Sequence, residues 1–397
     1  MRILVVHNRY RREGGEDVEV AAEAEALAAA GHTVKLETVD NDALKSVVER
    51  ARTFVSAPYD HDRYIWMTRA IEAFAPDVVH VHNFFPRLTP AVHHSVSEAG
   101  VALVQTLHNY RLLCANALFL RQGQVCEKCL HGTRYWGVVH RCYRHSVPGS
   151  LAVVRMQNRA FAERIWERVD EFIALTEFGR SKFMEGGLPG ERISVKPNTL
   201  APDWDTGPDT GSERSGVLFV GRLSPEKGID VLLGAWRSLP DVPLTILGDG
   251  PERTRLEAAA PPNVVFKGAV SHDRVREHMR RALCLVVPSL WYEGFGLVAI
   301  EAFSMSLPVV CSRIGALAEV VVEGESGWHF TPGSSRDLAR TLQSALSDHD
   351  ALRAVGRRAR DAFLEKFSPA QNVEVLTQIY ARALARASAR RGQSHEV

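Results

Sequence analysis

The sequence lacks the features that mark several protein classes. Its 397 residues carry a formal net charge of +1, so global charge does not indicate a nucleic-acid-binding protein. No run approaches the ~20 apolar residues that a membrane-spanning helix needs. The N-terminal run MRILVVHN soon reaches polar residues, which indicates a buried strand and not a secretory signal peptide. Six cysteines in this length exclude a disulfide-built scaffold, and a cytoplasmic protein is predicted.

What is present is an ordinary globular composition, with 45% hydrophobic and 24% charged residues. A chain of 397 residues is long for one core, so two domains of roughly 150 to 200 residues are expected. The first half repeats short apolar runs followed by polar loops and helix-length segments, which predicts buried parallel strands. These runs are RILVVHN, TVKLETVD, PDVVHVHN, ALVQTLHN and EFIALTEF.

The same pattern starts again after a segment rich in proline, glycine and aspartate, PNTLAPDWDTGPDTGSERSG, which is typical of a linker. The second set of runs is GVLFVGRL, PLTILGDG, NVVFKGAV, LCLVVPSL, LPVVCSR and GWHFTPG. Strands that alternate with helices predict two Rossmann-like, doubly wound α/β domains. We place the domains at 1–199 and 200–367, a C-terminal helix that crosses back to the first domain at 368–387, and a disordered tail at 388–397.

Several informative residues come directly after predicted strands. They are Gly14, Gly15, His82 and His108 in the first domain, and Arg222, Gly248 to Gly250 and Glu293 in the second. Ligands of open α/β sheets bind beyond the carboxyl ends of the strands. If the two sheets face each other, these residues line one cleft between the domains.

The segment WYEGFGLVAIEAF carries Glu293 on a loop and Glu301 about two turns into the following helix. The backbone N–H groups of Phe295, Gly296 and Leu297 would open that helix, where unpaired donors and the helix dipole attract an anion. Glu301 would then accept hydrogen bonds from a ribose attached to the anion. The alternative interpretation is a helix cap followed by a helix carboxylate that is satisfied within the fold.

The segment GRLSPEKGIDVLL places Arg222 after a strand and Lys227 before a helix. A forked guanidinium, an ammonium group and a helix start together suit a diphosphate. Surface cations near a turn are common, however, so the segment alone does not establish a phosphate site.

Taken in order, these motifs resemble those of a known enzyme family. They are the Gly-Gly pair after the first strand, HVHN, TLHNYRLLC, TEFGRSKF, VKPN, VGRLSPEKGID, LGDGP, PSLWYEGFGLVAIEA and SGWHFTPG. The chain is similar to the retaining glycosyltransferases of family 4 (group 1), which have two Rossmann-like domains in the GT-B architecture. The sequence departs from the family at Asn109, where aspartate is frequent, and at Gly315-Ala316, where two glycines are frequent.

The resemblance implies a role for each matching residue. Arg222 and Lys227 would bind the donor diphosphate, and Glu301 would hold the ribose hydroxyls. Glu293 would contact the donor sugar, and the amides of Phe295, Gly296 and Leu297 would complete the anion site. His108 would lie near the reacting sugar, and Gly15 would belong to the family's N-terminal glycine loop.

The implied reaction is the retaining transfer of a hexose-type sugar from a nucleotide-diphosphate sugar to an acceptor hydroxyl, in polysaccharide or glycolipid synthesis. We expect no cofactor, and no catalytic metal because no Asp-x-Asp pattern lies near the predicted donor site. The expected partners are a nucleotide sugar and a glycan or lipid-linked acceptor, without nucleic acid. Peripheral contact with the inner face of the membrane would suit a lipid-linked acceptor.

Three other functions remain open at this stage. A nucleotide-sugar 2-epimerase can share the architecture, but the first domain offers no clear catalytic carboxylates. A phosphorylase would require a pyridoxal phosphate lysine and is disfavoured by the chain length. A non-catalytic subunit that binds a nucleotide sugar is the alternative outside enzymes.

Two clusters allow a metal-binding interpretation. Cys114, Cys126, Cys129 and Cys142 would provide four thiolates for a structural zinc ion, or else pack an insertion as reduced thiols. His80 and His82 in VHVHN resemble a two-histidine metal pair. Burial of both histidines in a parallel sheet is the favoured interpretation.

Arginines are concentrated near the segment SLAVVRMQNRAFAERIWERV, which reads as one helix with an apolar face. This surplus would attract anionic lipid, or it would be the solvated side of a helix that packs on the sheet. Near the N-terminus, Arg9, Arg11 and Arg12 would instead meet a phosphate on the acceptor.

Overall fold

The computed structural model describes residues 1–10, 14–41, 47–201, 204–205, 207 and 213–394. The chain forms two compact units. The first comprises Met1–Phe119, Cys126–Ala201 and Pro369–Val397, and the second comprises Leu120–Val125 and Pro202–Ser368. The division after Ala201 lies close to the boundary that we placed at residue 200.

The first unit is built on a parallel six-stranded sheet. Its strands are β1 (Arg2–Arg9), β2 (Thr33–Asp40), β3 (Val78–Val81), β4 (Ala102–Leu107), β7 (Glu171–Ala174) and β8 (Ile193–Val195). The hairpin of β5 (Leu120–Arg121) and β6 (Gln124–Val125) lies in the segment that is assigned to the second unit. The strand order is β2-β1-β3-β4-β7-β8. The five strands predicted for this half are confirmed. The short edge strand β8 was not predicted, because three residues carry too little pattern.

Helices flank this sheet. They are α1 (Gly15–Ala29), α2 (Val47–Ser56), α3 (His61–Phe74), α4 (Ala91–Glu98), α5 (Trp136–Val139), α6 (Val147–Ala162) and α7 (Glu177–Glu185), with 3₁₀ turns at Tyr110–Leu112, Ile165–Arg168 and Gly190–Arg192. The arginine-rich helix is shorter than predicted, because Arg164 adopts φ +53° and ends the helical course before Ile165. Ser146 caps this helix by accepting a hydrogen bond from the N–H of Gly149 at 3.1 Å.

The second unit has its own parallel six-stranded sheet. Its strands are β9 (Val217–Val220), β10 (Leu244–Leu247), β11 (Val264–Gly268), β12 (Cys284–Val287), β13 (Val309–Ser312) and β14 (Gly327–Phe330). All six strands lie within the predicted runs, and their order is β11-β10-β9-β12-β13-β14. The helices are α8 (Ile229–Trp236), α9 (Arg253–Ala259), α10 (His272–Arg281), α11 (Leu297–Ser304), α12 (Leu317–Val320), α13 (Ser335–Leu346) and α14 (His349–Ala362), with a 3₁₀ turn at Pro225–Lys227 and a π turn at Phe363–Phe367.

The last helix, α15 (Pro369–Ser394), belongs to the first unit and shares its core. Its buried side chains, including Leu376, Ile379 and Tyr380, pack with residues of β1 and β4. The helix continues past residue 387, so disorder was wrongly predicted for 388–394. The reason is that Arg390 donates hydrogen bonds to the carbonyl of Arg168 at 2.9 Å and to Asp170 at 2.8 Å, which fixes the last turns. Residues 395–397 of the predicted tail lie outside the described residues.

No helix in the described part of the chain has both the length and the apolar character that a bilayer span requires.

Candidate functional site

In the second unit, two predicted loops start from neighbouring strands at the point where the sheet reverses its order. Strands β9 and β12 are adjacent, with β10 on one side and β13 on the other. Such a switch point opens a crevice beyond the strand ends, where α/β proteins bind ligands. Arg222 and Lys227 follow β9, and Glu293 follows β12. The topology therefore brings these three residues to one edge of the sheet.

Lys227 and Glu293 form an ion pair across this switch point. The Lys227 Nζ lies 2.7 Å from the Glu293 Oε1. The same oxygen accepts hydrogen bonds from the Ser289 hydroxyl at 2.6 Å and from the Trp291 ring N–H at 3.1 Å. Glu293 is buried and Lys227 is about one quarter exposed. The carboxylate is thus held in one orientation, while the ammonium group reaches solvent.

The pair depends on a close approach of the two loops at Gly228. This glycine has φ +69°, and a Cβ atom built on it would lie only 1.9 Å from the Pro288 carbonyl oxygen. The N–H of Leu290 also donates a hydrogen bond to the Glu226 carbonyl at 2.9 Å, which joins the loops through their backbones. Any larger residue at position 228 would force the loops apart.

The start of α11 offers free backbone donors. Gly296 precedes the helix with φ +98°, and Phe295 is buried against Phe367 with 5.9 Å between ring centroids. The N–H groups of Phe295, Gly296 and Leu297 donate no hydrogen bond to any described residue. The predicted anion-binding amides therefore lie at the first turn of this helix, with their donors unpaired.

Arg222 and Glu301 complete the predicted set in this unit. The Arg222 side chain is exposed and, within the described ranges, makes no ion pair. Burial raises the pKa of Glu301 to about 7, although the residue keeps partial exposure. A carboxyl group in this state takes up or releases a proton near neutral pH, and ribose hydroxyls would stabilise its charged form.

In the first unit, Gly15 lies at the corresponding switch point, between β1 and β3. It is the first residue of α1, and the preceding Gly14 donates its N–H to the Asp17 Oδ2 at 2.9 Å. The other Asp17 oxygen lies 2.9 Å from the His7 Nε2. The glycine loop is therefore anchored to the end of β1. Of the basic residues predicted beside it, Arg9 is exposed, and Arg11 and Arg12 lie outside the described residues.

His108 follows β4 and is partly exposed. Its Nε2 lies 2.9 Å from the Nδ1 of His82, a fully buried residue at the end of β3. Burial, and then the nearby His82, lower the pKa of His108 well below its usual range, so the ring is neutral. The neighbouring Asn109 accepts a hydrogen bond from the N–H of Arg111 at 3.1 Å. The structure thus joins the two predicted histidines His82 and His108.

A buried charge cluster that was not predicted from the sequence contacts His82. The Lys196 Nζ lies 2.8 Å from the Glu23 Oε2 and 3.0 Å from the Asn372 Oδ1, and all three residues are buried. One signal was available, since Glu23 lies between Val20 and Leu27 on the apolar side of α1. A carboxylate in such a stripe needs a buried partner.

The structure also bears on the metal-binding interpretations. Within the described residues, one group of three or more His, Cys, Asp or Glu side chains has its ligand atoms within 4.8 Å of one another, and it consists of Glu23, His80 and His82. His80 and His82 are buried, as favoured above.

The four cysteines of the insertion do not form such a group. Burial, and then the neighbouring thiols, raise the pKa of Cys129 to about 12. Cys114 is buried, and its thiol donates to the Asn116 Oδ1 at 2.9 Å. Cys114, Cys126 and Cys142 all lie close enough to Cys129 to contribute to its raised pKa.

The arginine surplus near α6 is partly neutralised within the first unit. The Arg159 guanidinium pairs with Glu163 at 2.7 Å. The Arg134 guanidinium lies 4.1 Å from the ring centroid of Phe161. These contacts agree with the interpretation that α6 packs on its own unit. Arg155 of the same helix remains exposed.

Comparison with known proteins agrees with this division. Residues 14–199 match the family described as glycosyl transferase 4-like domain, and residues 207–362 match the family described as glycosyl transferases group 1. The two matches together span most of both units.

Individual relatives cover different shares of the chain. An uncharacterized glycosyltransferase MJ1178 of Methanocaldococcus jannaschii is 32% identical over 167 residues, which are 41% of this chain and 47% of that protein. The glycogen synthase of Mycobacterium tuberculosis is 28% identical over 431 residues, covering 96% of this chain and 95% of that protein. Among solved structures, Anabaena Alr3699/HepE in complex with UDP has a TM-score of 0.68 at 17% identity, covering 96% of this chain and 100% of that chain.

Proposed function

The chain belongs to the glycosyl transferases of group 1, enzymes of the GT-B fold, and on that premise we propose that it transfers a hexose-type sugar from a nucleotide-diphosphate sugar to an acceptor hydroxyl. We propose further that the anomeric configuration is retained and that no metal ion takes part. The observation that carries this proposal is the switch point of the second unit, where the exposed Arg222, the partly exposed Lys227 that pairs with Glu293, and the amides before α11 supply positive charge.

Catalysis would rest on the diphosphate leaving group. As the bond between the anomeric carbon and the phosphate breaks, negative charge builds on the departing oxygen while the sugar gains oxocarbenium character. Arg222, Lys227 and the helix amides would bind this charge most tightly in the transition state, which lowers the barrier. The two side-chain cations would do the work that a divalent ion does in other transferases.

Glu293 would orient the donor sugar. Its Oε1 accepts three hydrogen bonds from Lys227, Ser289 and Trp291, so the carboxylate cannot rotate freely. Its Oε2 accepts no hydrogen bond from a described residue and would receive a sugar hydroxyl. Holding the ring at one angle supports attack from a single face.

Retention would follow from attack on the face from which the diphosphate leaves. The phosphate oxygen would take the acceptor proton, because neutral His108 with its low pKa is a weak base. His108 would hydrogen-bond the donor sugar. The presence of UDP in the solved Anabaena Alr3699/HepE structure supports a nucleoside diphosphate as the donor part that is bound.

A donor screen followed by product analysis tests this function. Thermal unfolding would be measured with UDP-, GDP- and ADP-sugars, because a ligand that binds the folded state raises its melting temperature. The bound donor would then be incubated with acceptors, and NMR would report the anomeric configuration of the product. We expect nucleoside diphosphate plus a glycoside of unchanged configuration.

Two variants sharpen the screen. Arg222→Met should abolish the shift caused by the nucleotide sugar, while Arg237→Met, an exposed arginine of the same unit, should keep it. A free epimerised nucleotide sugar as product would establish the epimerase instead. Binding without turnover across many acceptors would indicate a non-catalytic subunit.

We propose a glycan or lipid-linked acceptor, and hence contact with an anionic membrane face during polysaccharide or glycolipid synthesis. The exposed arginines near α6, including Arg155, support this part of the proposal. Flotation with anionic liposomes should recover the protein at low salt and lose it at high salt, since surface charge attraction is screened. Equal recovery on neutral liposomes would contradict it.

A further inference from the structure

A chain of contacts leads from a buried carboxylate to His108. The Glu23 Oε1 lies 3.3 Å from the His82 Nε2, and the His82 Nδ1 lies 2.9 Å from the His108 Nε2. Neither atom makes a shorter hydrogen bond to a described residue, and the Glu23 Oε1 lies equally far, 3.3 Å, from the His80 Nδ1. Glu23 and His82 are buried, so each of these polar atoms needs a partner within the fold. The three side chains therefore form one connected line that ends at the partly exposed histidine.

The charges along this line are defined by their surroundings. Burial alone would raise the pKa of Glu23, but Lys196 and His80 beside it lower the pKa well below its usual range. Burial lowers the pKa of His82 to about 3. The line thus consists of an ionised carboxylate followed by two neutral imidazoles.

A neutral imidazole carries one ring proton, so each ring must choose a nitrogen. If His82 carried its proton on Nδ1, the lone pair of its Nε2 would face the Glu23 carboxylate at 3.3 Å. Two acceptors would then meet in a buried site, which is costly. With the proton on Nε2, His82 donates to Glu23 and its Nδ1 accepts from His108. His108 must then carry its proton on Nε2.

We propose that Glu23, acting through His82, is a positioning residue that holds His108 in the tautomer with the proton on Nε2 and the lone pair on Nδ1. The proposal rests on the proposed function, in which His108 meets the donor sugar. There the Nδ1 lone pair would accept a sugar hydroxyl. The opposite tautomer would present an N–H to the sugar and would favour a different hydroxyl orientation.

A metal ion is the other use that this cluster allows, since Glu23, His80 and His82 point at one another. Three contacts oppose it. The Lys196 ammonium already neutralises Glu23 at 2.8 Å. Both nitrogens of His80 also have partners, with the Tyr380 hydroxyl at 2.9 Å from Nδ1 and the Thr106 hydroxyl at 2.7 Å from Nε2.

Glu23→Gln should reverse the direction of every hydrogen bond between position 23, His82 and His108. The new amide oxygen would take the position 2.8 Å from the Lys196 ammonium, because a cation requires an acceptor. The amide NH₂ would then occupy the place of Oε1 and donate to the His82 Nε2. His82 would move its proton to Nδ1 and donate to His108, which would move its own proton from Nε2 to Nδ1.

The neighbouring His80 can follow this change. Its Nδ1 lies 3.3 Å from the Glu23 Oε1 and would face the new NH₂ group. The hydroxyls of Tyr380 and Thr106 each donate or accept, so a neutral His80 can exchange its ring proton as well.

The test is NMR of the full chain with ¹⁵N-labelled histidine, in which the signals of His108 are assigned by their loss in His108→Asn. The ¹⁵N shifts of each ring show directly which nitrogen carries the proton. We expect a protonated Nε2 in the wild type, with a scalar coupling to the His82 Nδ1 across the hydrogen bond. Glu23→Gln should show a protonated Nδ1 at His108.

Glu19→Gln is the matched control. Glu19 lies one turn earlier on α1, is buried, and accepts from the N–H of Thr199 at 3.1 Å. Burial raises the pKa of Glu19 to about 8, so a neutral amide resembles its state at pH 7. This variant should leave the His108 tautomer unchanged. It has no place in the line from Glu23 to His108.

Kinetics connect the tautomer to the reaction. Glu23→Gln should lower kcat about tenfold, equal to about 1.4 kcal/mol, with a smaller change in KM, while Glu19→Gln should change kcat little. A wild-type His108 protonated on Nδ1 would overturn the proposal, even if Glu23→Gln failed to fold. An unchanged tautomer in folded Glu23→Gln would overturn it too. Because NMR needs no substrate, absence of glycosyl transfer would count against the proposed function alone.

Discussion

Each unit contains a lysine–glutamate ion pair with almost the same nitrogen–oxygen distance, but the two pairs differ in their exposure to solvent. Lys196 and Glu23 of the first unit are 2.8 Å apart, with side chains 1% and 3% exposed. Lys227 and Glu293 of the second unit are 2.7 Å apart, with side chains 25% and 9% exposed. The two pairs are therefore alike in the distance between their charged atoms and differ in their access to solvent.

The difference teaches what each pair can do. The ammonium group of Lys196 donates to the oxygens of Glu23 and Asn372, so two of its three donors are paired within the unit. Lys227 has one carboxylate oxygen and an open side toward solvent, so a phosphate can share it. We propose that the first pair orients the histidines of the first unit and that the second pair binds the ligand.

The largest effect is expected from breaking the buried pair. Lys196→Met removes the cation and leaves the buried Glu23 carboxylate without a counter-charge. Loss of one partner of a buried pair costs roughly 3 to 5 kcal/mol. Urea unfolding should show this loss in the first unit, and Lys227→Met should lose less, because Ser289 and Trp291 still donate to Glu293 and solvent reaches this pair. Similar midpoints for both variants would mean that the two pairs do not differ in the way proposed.

Breaking the partly exposed pair of the second unit should affect turnover more than stability. Lys227→Met removes a cation from the departing diphosphate, so the rate should fall about a hundredfold, equal to about 3 kcal/mol. Steady-state kinetics with the donor found by thermal shift would measure the change. Lys366→Met removes an exposed lysine of the same unit and should keep the wild-type rate. A loss below about threefold would remove Lys227 from the proposed mechanism.

Sequence patterns predicted the sheets better than the pairs. Strand β2, for example, is found at Thr33–Asp40, where the run TVKLETVD was recognised, because apolar pattern is local. Lys227 and Glu293 are separated by 66 positions, and their contact depends on the approach of Gly228 to Pro288. Lys196 and Glu23 are separated by 173 positions. The residues around Glu23 in the sequence do not indicate which distant cation neutralises this carboxylate of α1.

A smaller effect is expected at Glu301, which forms no ion pair with any residue that the structure describes. Its pKa is raised from 4.5 to about 7 by burial, so the folded state binds its proton more tightly than the unfolded state. Stability from this group is therefore full below pH about 4.5 and is lost as the pH rises to about 7.

Glu301→Gln should remove this pH dependence. Between pH 5 and 8 the melting temperature of the wild type should fall relative to the variant, by roughly 2 to 4 °C for each kcal/mol. The full shift would be worth about 3 kcal/mol, and partial exposure of the side chain reduces it. Glu325→Gln, at an exposed carboxylate of the same unit, should follow the wild type. Parallel curves for wild type and Glu301→Gln would contradict a raised pKa.

The smallest effect is expected from removing metal ions, because both units neutralise negative charge with lysine. In the second unit, Lys227 and the exposed Arg222 belong to the proposed diphosphate site. In the first unit, the Lys196 ammonium group pairs with Glu23, the carboxylate of the Glu23–His80–His82 cluster. Dialysis against a chelator should therefore leave turnover within about twofold of its starting value. Turnover that returned only with Mg²⁺ or Mn²⁺ would show that the protein cations of the second unit are insufficient. A chelator effect reversed by Zn²⁺ alone would point to the first unit or its cysteines, so the added ion identifies which interpretation has failed.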